Sequence, residues 1–109
     1  MINVAALLIC LSPTAIDGDT LRCGDTAARV RLYGVSSAER DEPGGTKATA
    51  ALAALIRGGL ICEVKGGSFS RTVAICYNSA NVDIGKDQLN SKQAAEDCLY
   101  SRNYYGTCS

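Results

Sequence analysis

Six cysteines in a chain of 109 residues constrain this protein more than any other feature of its sequence. They stand at Cys10, Cys23, Cys62, Cys76, Cys98 and Cys108, an even number with no Cys-x-x-Cys pair and with separations too wide for a zinc ribbon or finger. The set reads first as disulfides made in an oxidising compartment, with metal thiolates and plain buried thiols as competing readings. Of the connectivities open to six cysteines, sequential pairing is expected, because each neighbouring pair flanks a turn-like stretch. The middle pair is the best argued. Cys62 and Cys76 are equidistant from Phe69, inside a Gly-Gly-Ser-Phe-Ser stretch, so a hairpin turning there sets them directly across from each other.

The length suits one domain spanning 1–109 with one core. The 11 basic and 11 acidic residues cancel, so capture of nucleic acid by a long-range positive field is not expected, and any such contact must be local. There is no histidine, which excludes His-based acid/base catalysis, His-activated nucleophiles and every imidazole-dependent zinc site. The apolar run from Val4 to Leu11 is too short to span a bilayer as a helix, and no membrane partner is expected. A signal peptide suits the cysteine content, but there is no basic n-region, and cleavage after Ala15 would remove the first strand. The sequence is therefore expected to be a mature or truncated chain from a secreted or periplasmic protein.

Along the chain, Val4 to Ile16 reads as a strand with a Pro at 13. Asp17-Gly18-Asp19-Thr20 supplies a turn, and Leu21-Arg22-Cys23 resumes as the second strand. After Gly24-Asp25, Ala28 to Val35 alternates at period two and makes the third. Ser36 to Gly45 is polar, charged and carries Pro43, which marks a loop of the kind that often holds function. Thr46 to Arg57 reads as a helix capped by Thr46, with Leu52, Leu55 and Ile56 on one stripe and Gly58-Gly59 as its stop. Leu60 to Val64 and Arg71 to Tyr77 are two more strands around a turn at Gly66 to Ser70. Asn81 to Ala95 is weakly helical, and the Tyr-rich tail from Cys98 is irregular. The sum is a small α+β domain: a five-stranded OB-fold barrel with two helices.

The residues themselves offer few polar candidates. Asp17 and Asp19 share one turn, close enough to hold one hard cation, although Asp-Gly is equally a hairpin signal with no metal. Arg29 and Arg31 point to one face of a strand, where an open arginine can meet a phosphate or simply be solvated. Glu39 lies in the following loop, where a carboxylate can take a proton from water, or can be one charge in the run Arg40-Asp41-Glu42. Arg71 opens the last strand right after the turn, where it can equally be a hairpin-end charge.

Three segments, Ala15-Ile16-Asp17-Gly18-Asp19-Thr20-Leu21-Arg22, Arg29-Val30-Arg31-Leu32-Tyr33-Gly34-Val35 and Arg71-Thr72-Val73-Ala74, resemble the staphylococcal-nuclease-like (thermonuclease) family in order and spacing. The resemblance runs from about Ser12 to Ala95, with a helix between the second and third segments. It implies an OB barrel that cleaves single-stranded DNA or RNA with one Ca²⁺, acting as a monomer. By resemblance Asp19 is a direct metal ligand with Asp17 near it. Arg31 and Arg71 grip the scissile phosphate, and Glu39 activates or orients the attacking water. Arginine suits this work because its planar fork matches phosphate oxygens.

Two departures from the family pattern bear on activity. Ser36 stands where the family has the second metal carboxylate, and replacing a charged ligand by a hydroxyl weakens Ca²⁺ binding, since affinity follows ligand charge. Gly67-Ser68-Phe69-Ser70 precedes Arg71 where the family commonly has a cation and a stacking Tyr, so Phe69 is left to stack without the Lys contact. Tyr100, Tyr104 and Tyr105 offer further stacking. The leading reading is a secreted metal-dependent phosphodiesterase. The alternatives are a catalytically impaired domain that binds nucleic acid or another ligand without cleavage, and a cystine-stabilised interaction module.

Overall fold

A computed structural model describes residues 6–24, 29–68 and 70–108. The chain runs β1 (Leu7–Cys10), β2 (Pro13–Asp17), β3 (Thr20–Cys23), β4 (Arg29–Leu32), β5 (Val35–Ser36), α1 (Gly45–Leu55), β6 (Leu60–Ser68), β7 (Arg71–Asn78), α2 (Ile84–Asn90), β8 (Ala95–Glu96) and α3 (Cys98–Ser101). Six strands form one sheet in the order β1-β6-β7-β4-β3-β2, and β5 pairs with β8 in a small second sheet. Every pairing is antiparallel except β4 with β7, which is parallel.

The connection from β1 to β2 forces this sheet to curl. The two strands lie at opposite edges of the sheet, yet only Leu11 and Ser12 separate them in sequence. The Cys10–Cys23 disulfide then ties β1 to β3 with a Cα separation of 5.3 Å, and the Gly24 N–H donates to the Ser12 carbonyl at 3.0 Å across the same seam. Two register shifts, between Ala15 and Asp17 and between Val64 and Gly66, add the local bend that bulges supply.

The strand and helix counts correct the expected five and two. The Val4 to Ile16 run is two strands rather than one, because Pro13, lacking an N–H, opens an edge strand instead of continuing a ladder. The third expected strand also divides. Gly34, at φ 73°, turns the chain after β4 so that Val35–Ser36 leaves the main sheet. The expected turn at Gly66 to Ser70 is tighter, for β6 pairs as far as Ser68 opposite Arg71. The tail from Cys98, expected to be irregular, contains α3, and the weakly helical stretch expected at Asn81 to Ala95 is helical over Ile84–Asn90 and meets β8 at its end. Helix α1 starts one residue before Thr46. Its N-cap is Gly44 with no side-chain cap, so the expected Thr46 cap is not used.

One core lies between the curled sheet and the helices. Leu52 and Ile56 of the α1 segment, Leu21, Ile84 and the Cys62–Cys76 disulfide are all at most 2% exposed. Cys62 and Cys76 are direct cross-strand partners, 4.0 Å apart at Cα, as the hairpin argument requires. The third disulfide joins Cys98 to Cys108 in the tail, which completes the sequential pairing. Among the described residues no helix is long and apolar enough to cross a membrane.

Candidate phosphate-binding cleft

The Asp17-Gly18-Asp19 turn is held from below by helices. Gln88, wholly buried in α2, donates through Nε2 to the Gly18 carbonyl at 2.8 Å and to the Ala48 carbonyl of α1 at 3.1 Å. Gly18 is required there, since a Cβ would come within 2.6 Å of both Ala48 Cβ and Ser37 Oγ. The two aspartates flanking it then reach the loop that follows β5. Asp19 is 5% exposed; its Oδ2 accepts the Ser37 N–H at 2.8 Å and its Oδ1 accepts the Thr20 hydroxyl at 2.7 Å. Asp17 Oδ1 accepts the Arg40 N–H at 2.8 Å. The loop between closes on itself: Glu39 N–H donates to Glu42 Oε1 at 2.7 Å, and the Gly45 N–H donates to the Glu42 carbonyl at 2.9 Å.

The arginines come from the sheet. Parallel pairing sets Arg29 of β4 beside Arg71 of β7, and period two puts Arg31 on the same face as Arg29. Arg31 is ion-paired with Asp19 through its guanidinium. Arg71 makes no ion pair with any described residue, and neither arginine is tied to Asp41 or Glu42.

These groups surround one cleft of about 450 Å³. Asp17, Asp19, Arg31, Ser36, Glu39, Arg71 and Tyr100 all line it, drawn from six separate parts of the chain. Phe69 lies outside the described residues, and Tyr104 and Tyr105 do not reach the cleft. Tyr105 instead packs on the core and donates to Asp83 at 2.9 Å; burial first, and the Asp83 carboxylate second, push its hydroxyl well above the usual tyrosine range.

Tyr33 and Asp97 are polar side chains that also line the cleft. Tyr33 follows β4 and donates through its hydroxyl to the Tyr100 carbonyl at 3.2 Å. Asp97 follows β8, and its N–H donates to the Gly34 carbonyl at 2.8 Å, which brings the tail against the turn after β4. The sequence carries a weak signal for Tyr33, as an aromatic two residues after Arg31, and none for Asp97. The tail is shaped by Glu96, whose carboxylate accepts the Tyr105 N–H at 2.9 Å, the Thr107 N–H at 2.9 Å and the Thr107 hydroxyl at 2.7 Å, and also the Ser101 hydroxyl. Burial alone would raise this carboxyl, but the hydrogen bonds outweigh it and hold it at about 2.

Chemically, the cleft offers arginine forks, carboxylate oxygens and hydroxyls, with no thiol, since every cysteine is in a disulfide. An all-oxygen set suits a hard cation such as Ca²⁺ or Mg²⁺. Among the described residues no group of three or more Asp, Glu, His or Cys side chains is placed to hold a metal ion. A scan against models of known protein families finds no match to this chain, and a search of curated proteins finds no relative.

Proposed function

We propose that this domain is a nuclease of the staphylococcal-nuclease-like kind, an OB-type barrel that takes single-stranded DNA or RNA in its arginine-lined cleft and hydrolyses a phosphodiester. The observation that carries the reading is the convergence of Arg31, Arg71, Glu39 and Asp19 on one concave surface, although they come from β4, β7, a loop and a turn. Three disulfides place its maturation in an oxidising compartment, and we take that to be the periplasm or the cell exterior.

Arg71, with no ion pair to a described residue, offers its fork to the phosphate. Arg31 sits at the same wall and is poised to share its guanidinium between Asp19 and a phosphate oxygen, which would hold charge as it builds on phosphorus. Glu39, exposed on the rim, takes a proton from the attacking water. The new bond forms from water oxygen to phosphorus, the ester bond to the leaving oxygen breaks, and that oxygen takes its proton from solvent. Asp19 and Asp17, with the Ser36 hydroxyl, would hold a weakly bound Ca²⁺, which when bound supplies neutralising charge to the same phosphate. Tyr100, 74% exposed at the cleft, offers a ring for an unstacked base.

A second reading, binding without cleavage, is favoured by one observation: Asp19 already spends Oδ2 on Arg31 and the Ser37 N–H, while Ser36 contributes no charge. Hydrolysis of denatured DNA and of RNA by the oxidised protein, titrated with Ca²⁺ against EDTA, separates the two. We expect metal-dependent cleavage that is lost in the Arg31→Ala, Arg71→Ala double variant. Cleavage that persists in that variant would be contaminating nuclease, and salt-sensitive binding with no turnover would establish the second reading.

A further inference from the structure

We infer that a second groove, beside the cleft, is a phosphate-binding path that carries the single strand onward from the reacting phosphodiester; this rests on the nucleic-acid reading above. The groove has a volume of about 810 Å³ and abuts the cleft at Ser36 and Ser37, which line both. A strand leaving the cleft over β5 would pass Ser36 and Ser37 to reach it.

Charge distinguishes the two hollows. Three arginines and four carboxylates line the cleft, so its formal balance is one negative charge, and its arginines act on a phosphate only at close range. The groove is lined by Lys47 of α1 and Lys92 just beyond α2, and its one carboxylate is Glu96. Both lysines are exposed and neither makes an ion pair with a described residue. Both oxygens of Glu96 are already filled by donors from Ser101, Tyr105 and Thr107, so that carboxylate is directed into the tail rather than at the lysines.

Lys92 adds an independent sign. Its backbone is left-handed at φ 65°, and its N–H closes the end of α2 on the Leu89 carbonyl at 3.1 Å, a place that glycine ordinarily takes. A long cationic side chain kept in a conformation that disfavours side chains, over a groove adjoining a candidate site, points to use of the charge. The sizes agree: the cleft suits one nucleotide-sized group, whereas single-strand sites on barrels of this kind span roughly 4 to 16 nucleotides and need further contacts.

The test is fluorescence anisotropy with phosphorothioate oligothymidylates in CaCl₂, using a dinucleotide and an oligomer of roughly twelve nucleotides. Wild type is compared with the Lys47→Ala, Lys92→Gly double variant. Glycine accepts the left-handed backbone, so the thermal midpoint of Lys92→Gly should hold or rise, which checks that the fold is intact. We expect affinity for the oligomer to fall by on the order of threefold to tenfold. The slope of log K against log salt should become shallower by about 1.4, for two lost phosphate contacts. Dinucleotide binding should not change. An oligomer bound as tightly by the variant as by wild type overturns the inference, and so does an equal loss for both lengths. Failure of wild type to bind either length overturns the proposed function itself, and the inference with it.

Discussion

At the scale of single residues, two side chains stand out, one on the cleft and one in the tail beside it. Ser36 is exposed on the cleft, opposite Ala95 in the β5–β8 pair, and brings a hydroxyl there rather than a charge. Ser36→Asp is expected to tighten Ca²⁺ by about tenfold or more, because affinity rises with ligand charge, and to raise the cleavage rate alongside. Calorimetric titration with Ca²⁺ checks this, and an unchanged affinity would remove Asp19 from the metal site. Glu96 is the other. Its folded carboxyl titrates at about 2 against an ordinary 4.5, so its stabilising contribution is complete above pH 4.5 and is lost as the pH falls toward 2. The gap in thermal midpoint between wild type and Glu96→Gln should close over that window, and a gap independent of pH would mean that charge is not what holds the tail. The motif residues Asp17, Asp19, Arg31, Glu39 and Arg71 were legible in the sequence, because residue type and short spacing mark them. The role of Glu96 was not, since its donors come from a tail with no periodic pattern.

At the scale of elements, the loop from Ser37 to Gly44 and the start of α1 work as one unit. Gly45 lies against the Glu39 backbone so closely that a Cβ would sit 1.7 Å from the Glu39 carbonyl oxygen. Gly45→Ala should therefore cost about 1–3 kcal/mol in urea unfolding and displace Glu39, lowering turnover more than substrate binding. A variant as stable and as active as wild type would mean that this loop yields freely. The hairpin of β6 and β7 was readable because it is local: a Gly-rich turn between two β-branched runs sets its own register and puts Cys62 across from Cys76. The division of the first and third expected strands was not readable. A continuous apolar or alternating run does not say where one strand ends and another begins, and here Pro13 and the Gly34 turn decided it.

At the scale of the whole molecule, closure of the curled sheet rests on the seam between β1 and β3, which Cys10–Cys23 crosses. The bridge closes a loop with a sequence separation of 13, worth about 3 kcal/mol through the unfolded chain. The Cys10→Ala, Cys23→Ala variant should thus melt on the order of 10 to 20 °C lower, measured by calorimetry. A loss of only a degree or two would mean that packing alone closes the sheet. The sequence by itself determined what is local: the hairpin, the core of α1, the sequential cystines, the exclusion of imidazole chemistry, and the residue types of the cleft. The tertiary structure alone decided the rest. The parallel pairing of β4 with β7 that sets Arg29 beside Arg71, the docking of the tail that brings Asp97 and Tyr100 to the cleft with Tyr33, and the placing of Lys47 and Lys92 along one groove all join distant parts of the chain. Periodicity tells which face a residue occupies, but which face meets which partner depends on burial shared across the whole fold.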